Sequence, residues 1–253
     1  MTPPFPNLQK RIRSHSVAIL NAETREIGSG VLIGLEGRVF VLSAAHVLEG
    51  SIDVNLGIIP HVTPFTILKR WTDSVLDIGY LELKPSEVEL RLSEISAIYG
   101  VAIRRLQANI PTSKASIALC GFPSANSSET ERGIEVLLTF IKVALLNPKN
   151  WPSVYKEKLD SNRHFVIRYG EKRGSRFMDG DGKIIQPMKP YGLSGSGVWF
   201  FNPDSEQTDN PAYALLGIQH TYDSTYEILY GTFLDDLIQR ICDDYGISIP
   251  DSA

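Results

Sequence analysis

Residues 28–46 read Gly28-Ser29-Gly30-Val31-Leu32-Ile33-Gly34-Leu35-Glu36-Gly37-Arg38-Val39-Phe40-Val41-Leu42-Ser43-Ala44-Ala45-His46. Two apolar runs, Gly28–Ile33 and Val39–Ala44, flank Glu36-Gly37, a pair suited to a tight hairpin turn. The second run ends in two alanines and a histidine. Small residues let a strand end pack closely while the next side chain turns into a cleft. Taken by itself, a histidine here also reads as plain strand-end punctuation.

The same rhythm extends in both directions. Ser16–Leu20 precedes the hairpin, and Ile52–Leu56, Phe65–Leu68 and Ile78–Leu83 follow it. After a link near Gln107–Ser113, short runs resume at Ala115–Gly121, Ile134–Leu145, His164–Gly170, Gly197–Phe201, Tyr213–His220 and Ile228–Phe233. Many short strands at this spacing predict an all-β fold of antiparallel sheets rather than βαβ units. Ser86–Ile95 fits either a helix or a strand with a loop, and Asn147–Lys158 reads as an inserted surface loop. Leu234–Tyr245 carries apolar residues at 234, 237, 238 and 241, which predicts an amphipathic closing helix. The expected organisation is one domain over 1–253. It has an N-terminal arm at 1–14, a first barrel at about 15–108, a second at about 109–233, and a helix and tail at 234–253.

Composition sets bounds on function. The chain has 253 residues, 43% hydrophobic and 21% charged, with net charge -4. That is ordinary globular composition, and the charge draws the protein neither to nucleic acid nor to acidic lipid. No apolar run is long enough to span a bilayer. The first residues contain no apolar segment of signal-peptide type. Cys120 and Cys242 are the two cysteines, and two isolated cysteines read as buried thiols of a reducing compartment. The expected location is the cytoplasm of a bacterial-style cell.

Two further stretches carry chemistry. In Leu76-Asp77-Ile78-Gly79-Tyr80-Leu81, an aspartate stands directly before an apolar strand; it also reads as a turn residue. In Tyr191-Gly192-Leu193-Ser194-Gly195-Ser196-Gly197-Val198-Trp199-Phe200, a serine lies between glycines. Glycine permits a sharp turn and a close backbone approach to a substrate. A flexible linker is the plain alternative, but strand formers bound this segment abruptly. Asp179-Gly180-Asp181-Gly182-Lys183 reads as a hairpin turn rather than a calcium loop, because the spaced third ligand and closing glutamate are missing. His15, His61, His164 and His220 show no metal-ligand spacing with cysteine.

Together, in the chain order His, Asp, Ser, these motifs resemble the chymotrypsin-like (trypsin-like) serine peptidases. The family's Thr-Ala-Ala-His stands here as Ser43-Ala44-Ala45-His46. Its Asp-Ile-Ala-Leu-Leu stands as Asp77-Ile78-Gly79-Tyr80-Leu81, and its Gly-x-Ser-Gly-Gly/Ser as Gly192-Leu193-Ser194-Gly195-Ser196. Gly28-Ser29-Gly30-Val31, Gly121-Phe122-Pro123 and Leu216-Gly217-Ile218 match further family segments. The likeness covers roughly residues 16–240 and is to the disulfide-free, HtrA-like bacterial branch. Leu193 departs from the aspartate often found before the nucleophile, so activation by an ion pair to a new N-terminus is excluded. Gly79 and Gly197 also depart from the usual residues.

The resemblance implies two packed six-stranded antiparallel barrels with a C-terminal helix, and serine endopeptidase activity. It implies His46 as general base, Asp77 as its orienting acid and Ser194 as nucleophile, with the N–H groups of Gly192 and Ser194 as the oxyanion hole. Ser196 and Asp73 are the weaker rivals for nucleophile and acid. The implied pocket involves Met188 and Lys189 near its base and Gln219 and His220 on its wall. Related glutamyl endopeptidases use a histidine on that wall strand. Counting from Gly217 puts Gln219 at that place, and His220 reaches it only through a one-residue bulge. The expected preference is an uncharged or acidic residue before the cut. A polypeptide substrate is the expected partner, with no cofactor, metal, nucleic acid or membrane implied. The competing expectation is a protease-fold module that binds peptides with little or no catalysis.

Overall fold

In a computed structural model, the hairpin expected around Glu36-Gly37 forms as β2 (Ile27–Leu35) and β3 (Arg38–Ser43). Leu35 pairs with Arg38, so Glu36 and Gly37 alone make the turn, with φ of 45° and 75°. Two left-handed residues match the right-handed twist of the flanking strands. The structure describes residues 12, 14–55, 65–91, 116–130, 133–170, 175–179, 183–186, 188–201 and 213–247. Most of the expected arm, the link near Gln107–Ser113, the barrel boundary near 108, His61 and the turn residues 180–182 lie outside them.

Strands β1 (Ser16–Asn21), β4 (Ile52–Asn55), β5 (Ile67–Asp73) and β6 (Ile78–Leu83) join the hairpin in an antiparallel sheet of order β4-β1-β2-β3-β6-β5. Its central strands are buried on both faces, which explains their unbroken apolar runs. One face packs Val17, Ile19, Leu32, Val41 and Leu81 together. The other turns Val31, Ile33, Phe40, Leu42 and Tyr80 toward the second sheet and the C-terminal helix.

The second sheet contains β7 (Ser116–Gly121), β10 (Thr139–Leu145), β11 (His164–Arg168), β12 (Arg176–Asp179), β13 (Gly197–Phe201), β14 (Tyr213–Asp223) and β15 (Ile228–Phe233). Its order is β11-β15-β14-β13-β7-β10-β12, and β11 also pairs with β10. Six strands therefore close into a ring around Leu119, Ile141, Phe165, Ile167, Val198 and Leu216, with β12 attached outside it. A separate hairpin is formed by β8 (Ser127–Thr130) and β9 (Gly133–Val136). The expected class holds: all-β, two antiparallel units in sequence and a closing helix. The units are not twins. The second closes by hydrogen bonds, whereas β4 and β5 of the first do not pair with each other among the described residues.

Several expectations shift in detail. The run at Phe65–Leu68 becomes a strand reaching Asp73, because β5 lies at the end of its sheet and alternates half-buried with exposed residues. Pro85–Arg91 is a helix. Ile134–Leu145 divides into β9 and β10. The segment Asn147–Lys158 is more than a surface loop: it contains a helix, Ser153–Lys158, and buries Trp151 and Tyr155 against Val166, Ile228 and Tyr230. Ile12, within the expected arm, is fully buried in the core.

The closing helix, Asp235–Tyr245, buries Leu237, Ile238, Ile241 and Cys242 and ends at Gly246 with φ 66°, the usual left-handed stop. Its Asp244 accepts from Lys69 Nζ at 2.8 Å and from the Tyr80 hydroxyl. The Tyr245 hydroxyl donates to Glu82 at 2.8 Å. The helix that follows the second barrel is thereby fastened to the first sheet.

Candidate active site

Strand β3 ends in Ala44 and Ala45, both buried, and the chain enters a single turn of 3₁₀ helix at His46–Leu48. This turn brings the half-exposed His46 ring (49% accessible) to the cleft. Asp77 is carried by the turn between β5 and β6. Asp73 Oδ1 accepts the N–H groups of Val75 and Leu76 at 2.9 and 3.0 Å, an Asx turn. Asp77 follows with φ 50°, a conformation that aspartate tolerates. Asp73 is therefore committed to its own turn.

The Asp77 carboxylate grips His46 twice. Its oxygens lie 2.8 and 3.0 Å from Nδ1, and Oδ1 also accepts the His46 backbone N–H at 3.1 Å. With a carboxylate on Nδ1, that nitrogen carries the proton and Nε2 is left as the basic site. The bond to Asp77 raises the His46 pKa above 6.5, outweighing burial. Burial resists ionisation of Asp77, but the His46 bond and charge, with a smaller contribution from His220, hold its carboxyl below the usual value.

A second histidine flanks the same carboxylate. His220 Nδ1 is 3.4 Å from Asp77 Oδ2 and 2.9 Å from Thr221 Oγ1, while Nε2 is 3.1 Å from Thr232 Oγ1. The Thr232 hydroxyl donates to the Leu76 carbonyl at 2.8 Å, so it receives from His220, which puts the proton on Nε2. Burial pushes the His220 pKa down to about 4, only partly offset by Asp77. His220 is thus a neutral wedge behind Asp77. It is also the extra residue of a β-bulge, since Gln219 pairs with Gly231 and Thr221 with Tyr230. The bulge exists, and its imidazole faces the acid.

Ser194 sits on a tightly bonded loop. Leu193 N–H donates to the Pro190 carbonyl at 3.0 Å, Ser196 N–H to the Leu193 carbonyl at 2.8 Å, and Gly195 N–H to the Gln219 carbonyl at 2.7 Å. Gly192 and Gly195 have φ of 86° and 89°. A Cβ at Gly192 would lie 2.6 Å from the Phe122 carbonyl oxygen. Neither the Gly192 nor the Ser194 amide donates to a backbone carbonyl among the described residues, so both are available to a ligand oxygen. The Ser194 hydroxyl donates to the His220 carbonyl at 3.0 Å. Ser196, the rival nucleophile, is fully buried beside Gly121.

Ser29 of β2, within the Gly28-Ser29-Gly30 motif, has a role that its residue type alone does not signal in the sequence. Its N–H donates to the Ser194 carbonyl at 2.8 Å. Its hydroxyl donates to the Gly192 carbonyl at 2.8 Å and accepts from Phe122 N–H at 2.8 Å. One buried residue of the first sheet therefore clamps the loop of the second from both sides of Ser194.

His46, Asp77, Gly192, Ser194, Gln219 and His220 all line one cleft of about 770 Å³, a size that suits a peptide side chain and its neighbours. Met188 and Lys189 do not line it. Met188 packs against the second barrel's core, with its carbonyl accepting from the Tyr169 hydroxyl at 2.8 Å. Lys189 is exposed, its Nζ 6.0 Å from the Tyr191 ring centre. Pro190, Tyr191, Thr221 and Tyr222 stand on that wall instead. Among the described residues, no cluster of three His, Cys, Asp or Glu side chains is placed to hold a metal ion.

No protein-family model matches this chain, and no curated protein does. Among solved structures, it is similar to the Rv3671c protease of M. tuberculosis. The active form of that protein aligns with a TM-score of 0.49 and 15% identity over 99% of this chain and 88% of the other. An inactive serine-to-alanine form aligns with a TM-score of 0.47 and 15% identity over 98% and 93%. The fold is evident in this chain's own strand order, one six-stranded ring and one six-stranded sheet, both antiparallel.

Proposed function

We propose that this protein is a serine endopeptidase in which His46, Asp77 and Ser194 form a catalytic triad. The observation that carries the reading is the His46 Nδ1–H donating to the Asp77 carboxylate, shared between its two oxygens, in the cleft that also holds Ser194. Ser194 Oγ attacks the scissile carbonyl carbon as His46 Nε2 takes its proton. The resulting oxyanion is held by the N–H groups of Gly192 and Ser194, donors of a kind worth about 3–4 kcal/mol to the barrier. His46 then protonates the leaving amine, and water, activated by the same imidazole, hydrolyses the acyl-enzyme at Ser194. Asp77 keeps the imidazole in the productive tautomer. The buried thiols Cys120 and Cys242, which form no disulfide, suit an enzyme of the disulfide-free, HtrA-like kind, acting as one catalytic unit in the cytoplasm.

A specific contact favours a second reading. The Ser194 hydroxyl is bonded to the His220 carbonyl, and a peptide-binding module with little catalysis has no need to release it. In the enzyme, substrate binding turns that hydroxyl toward His46. A fluorophosphonate probe separates the two. The enzyme reading expects covalent labelling of Ser194, lost in Ser194→Ala while the variant's melting temperature stays near wild type. A folded protein whose Ser194 takes no label is the binding module.

A further inference from the structure

Three buried side-chain polar atoms have no hydrogen-bond partner among the described residues: Ser196 Oγ, Trp199 Nε1 and Gln219 Oε1. Ser196 and Trp199 do not line the cleft. Gln219 does, although it is only 1% exposed. Buried polar groups are normally paired, and an orphan beside a cleft is a place where a ligand removes a cost that folding left standing.

The backbone of Gln219 is tied to the loop of Ser194 at two points. Its carbonyl accepts from Gly195 at 2.7 Å, and its N–H donates to the Ser196 carbonyl at 2.9 Å. The residue is therefore fixed against the nucleophile. Gly231 lies opposite it on β15 and lets that strand press close to it, since a Cβ at Gly231 would come within 2.8 Å of the Gln219 Cα. The lining residues from the second barrel around it, Pro190, Tyr191, Gly192, Thr221 and Tyr222, carry no charge. The charged lining residues, Arg25, Glu26 and Asp77, come from the first sheet.

This environment discriminates by chemistry. An ammonium, guanidinium or carboxylate entering beside Gln219 loses water and meets no counter-charge. An aliphatic side chain leaves the Gln219 oxygen unpaired. A primary carboxamide satisfies both ends, giving an N–H to Oε1 and accepting from Nε2. We propose that Gln219 is the specificity determinant of the cleft and selects glutamine or asparagine as the residue before the scissile bond. The proposal rests on the peptidase reading and narrows the uncharged-or-acidic expectation to an uncharged carboxamide.

The test compares fluorogenic peptides that differ only in Gln, Asn, Glu, Met or Lys before the cut. Wild type is expected to favour Gln or Asn over Met and Glu by at least about tenfold in kcat/KM, since a buried group left unpaired discriminates strongly. In Gln219→Met, that ratio collapses to about threefold or less, with activity on the Met peptide rising. A merely structural role for Gln219 lowers all five alike. The same ratio is read in binding, by calorimetry of Ser194→Ala with product peptides ending in Gln, Met or Glu. If Ser194 takes no fluorophosphonate, the catalytic reading fails by itself, and the binding ratio still decides Gln219. Equal treatment of Gln and Met by both measures, or a preference that persists in Gln219→Met, overturns the proposal.

Discussion

The N–H of Ser29 donates to the carbonyl of Ser194 over 2.8 Å, joining a strand of the first sheet to the Ser194 loop of the second. The Ser29 hydroxyl adds a bridge from Phe122 N–H to the Gly192 carbonyl. Ser29→Ala keeps the first bond and removes the bridge. The expected outcome is a loss of about 1–3 kcal/mol in stability, from the buried Phe122 N–H and the part-buried Gly192 carbonyl losing this partner. Turnover is expected to fall about 10- to 100-fold through displacement of the oxyanion donors. Denaturant titration and steady-state kinetics on one preparation check both. Unchanged turnover in a destabilised variant means that the bridge serves the fold alone.

The raised pKa of His46 sets the pH profile. Protonated His46 cannot take the Ser194 proton, so kcat/KM rises with pH through an apparent pKa above 6.5 and levels off on the alkaline side. Asp77→Asn removes the bond that raises it. The inflection then moves down, and the plateau falls by about 10⁴-fold as the imidazole adopts the wrong tautomer. A profile unaffected by Asp77→Asn contradicts the assignment of the acid.

Two buried histidines predict sensitivity to acid. Burial lowers both His15 and His220 to about 4 from 6.5. A depressed folded-state value means stability that is complete above pH 6.5 and is lost as the pH falls toward 4. Each contributes on the order of 3 kcal/mol over that window. Melting temperatures measured between pH 7 and pH 4 should fall steeply, and His15→Gln should flatten the slope. His15 lies away from the triad against Trp199, so its variant isolates stability from chemistry.

Two glycines with similar φ should respond very differently to alanine. Gly37, φ 75°, has open space where a Cβ would stand, whereas a Cβ at Gly195, φ 89°, would lie 1.9 Å from the Ser29 carbonyl oxygen. Gly37→Ala carries only the left-handed backbone cost, about 1–2 kcal/mol. Gly195→Ala adds a clash with backbone and is expected to exceed about 4 kcal/mol. Equal denaturation midpoints for the two variants contradict this packing.

The β class, the hairpin at Glu36-Gly37, the closing helix and the order His46, Asp77, Ser194 were all legible from the chain, because they rest on local facts. Side-chain period, turn chemistry and short motifs are written in neighbouring residues. What only the tertiary structure decided lies between distant segments. Sequence spacing gives no account of which strands close a ring, so the unlike pairing of the two sheets was invisible. Trp151 and Tyr155 stand in a segment with the local character of a loop, and only Val166 and Ile228, distant in the chain, make them core residues. Position before Ser194 in the chain points to Met188 and Lys189 as pocket residues, but the loop turns Met188 to the core and Lys189 to solvent. The bulge at His220 turns its imidazole to Asp77, and the Oε1 of the neighbouring Gln219 has no hydrogen-bond partner among the described residues. A one-residue shift in a strand reverses the face of every side chain after it, and that shift is set by a partner strand, not by the residues that shift.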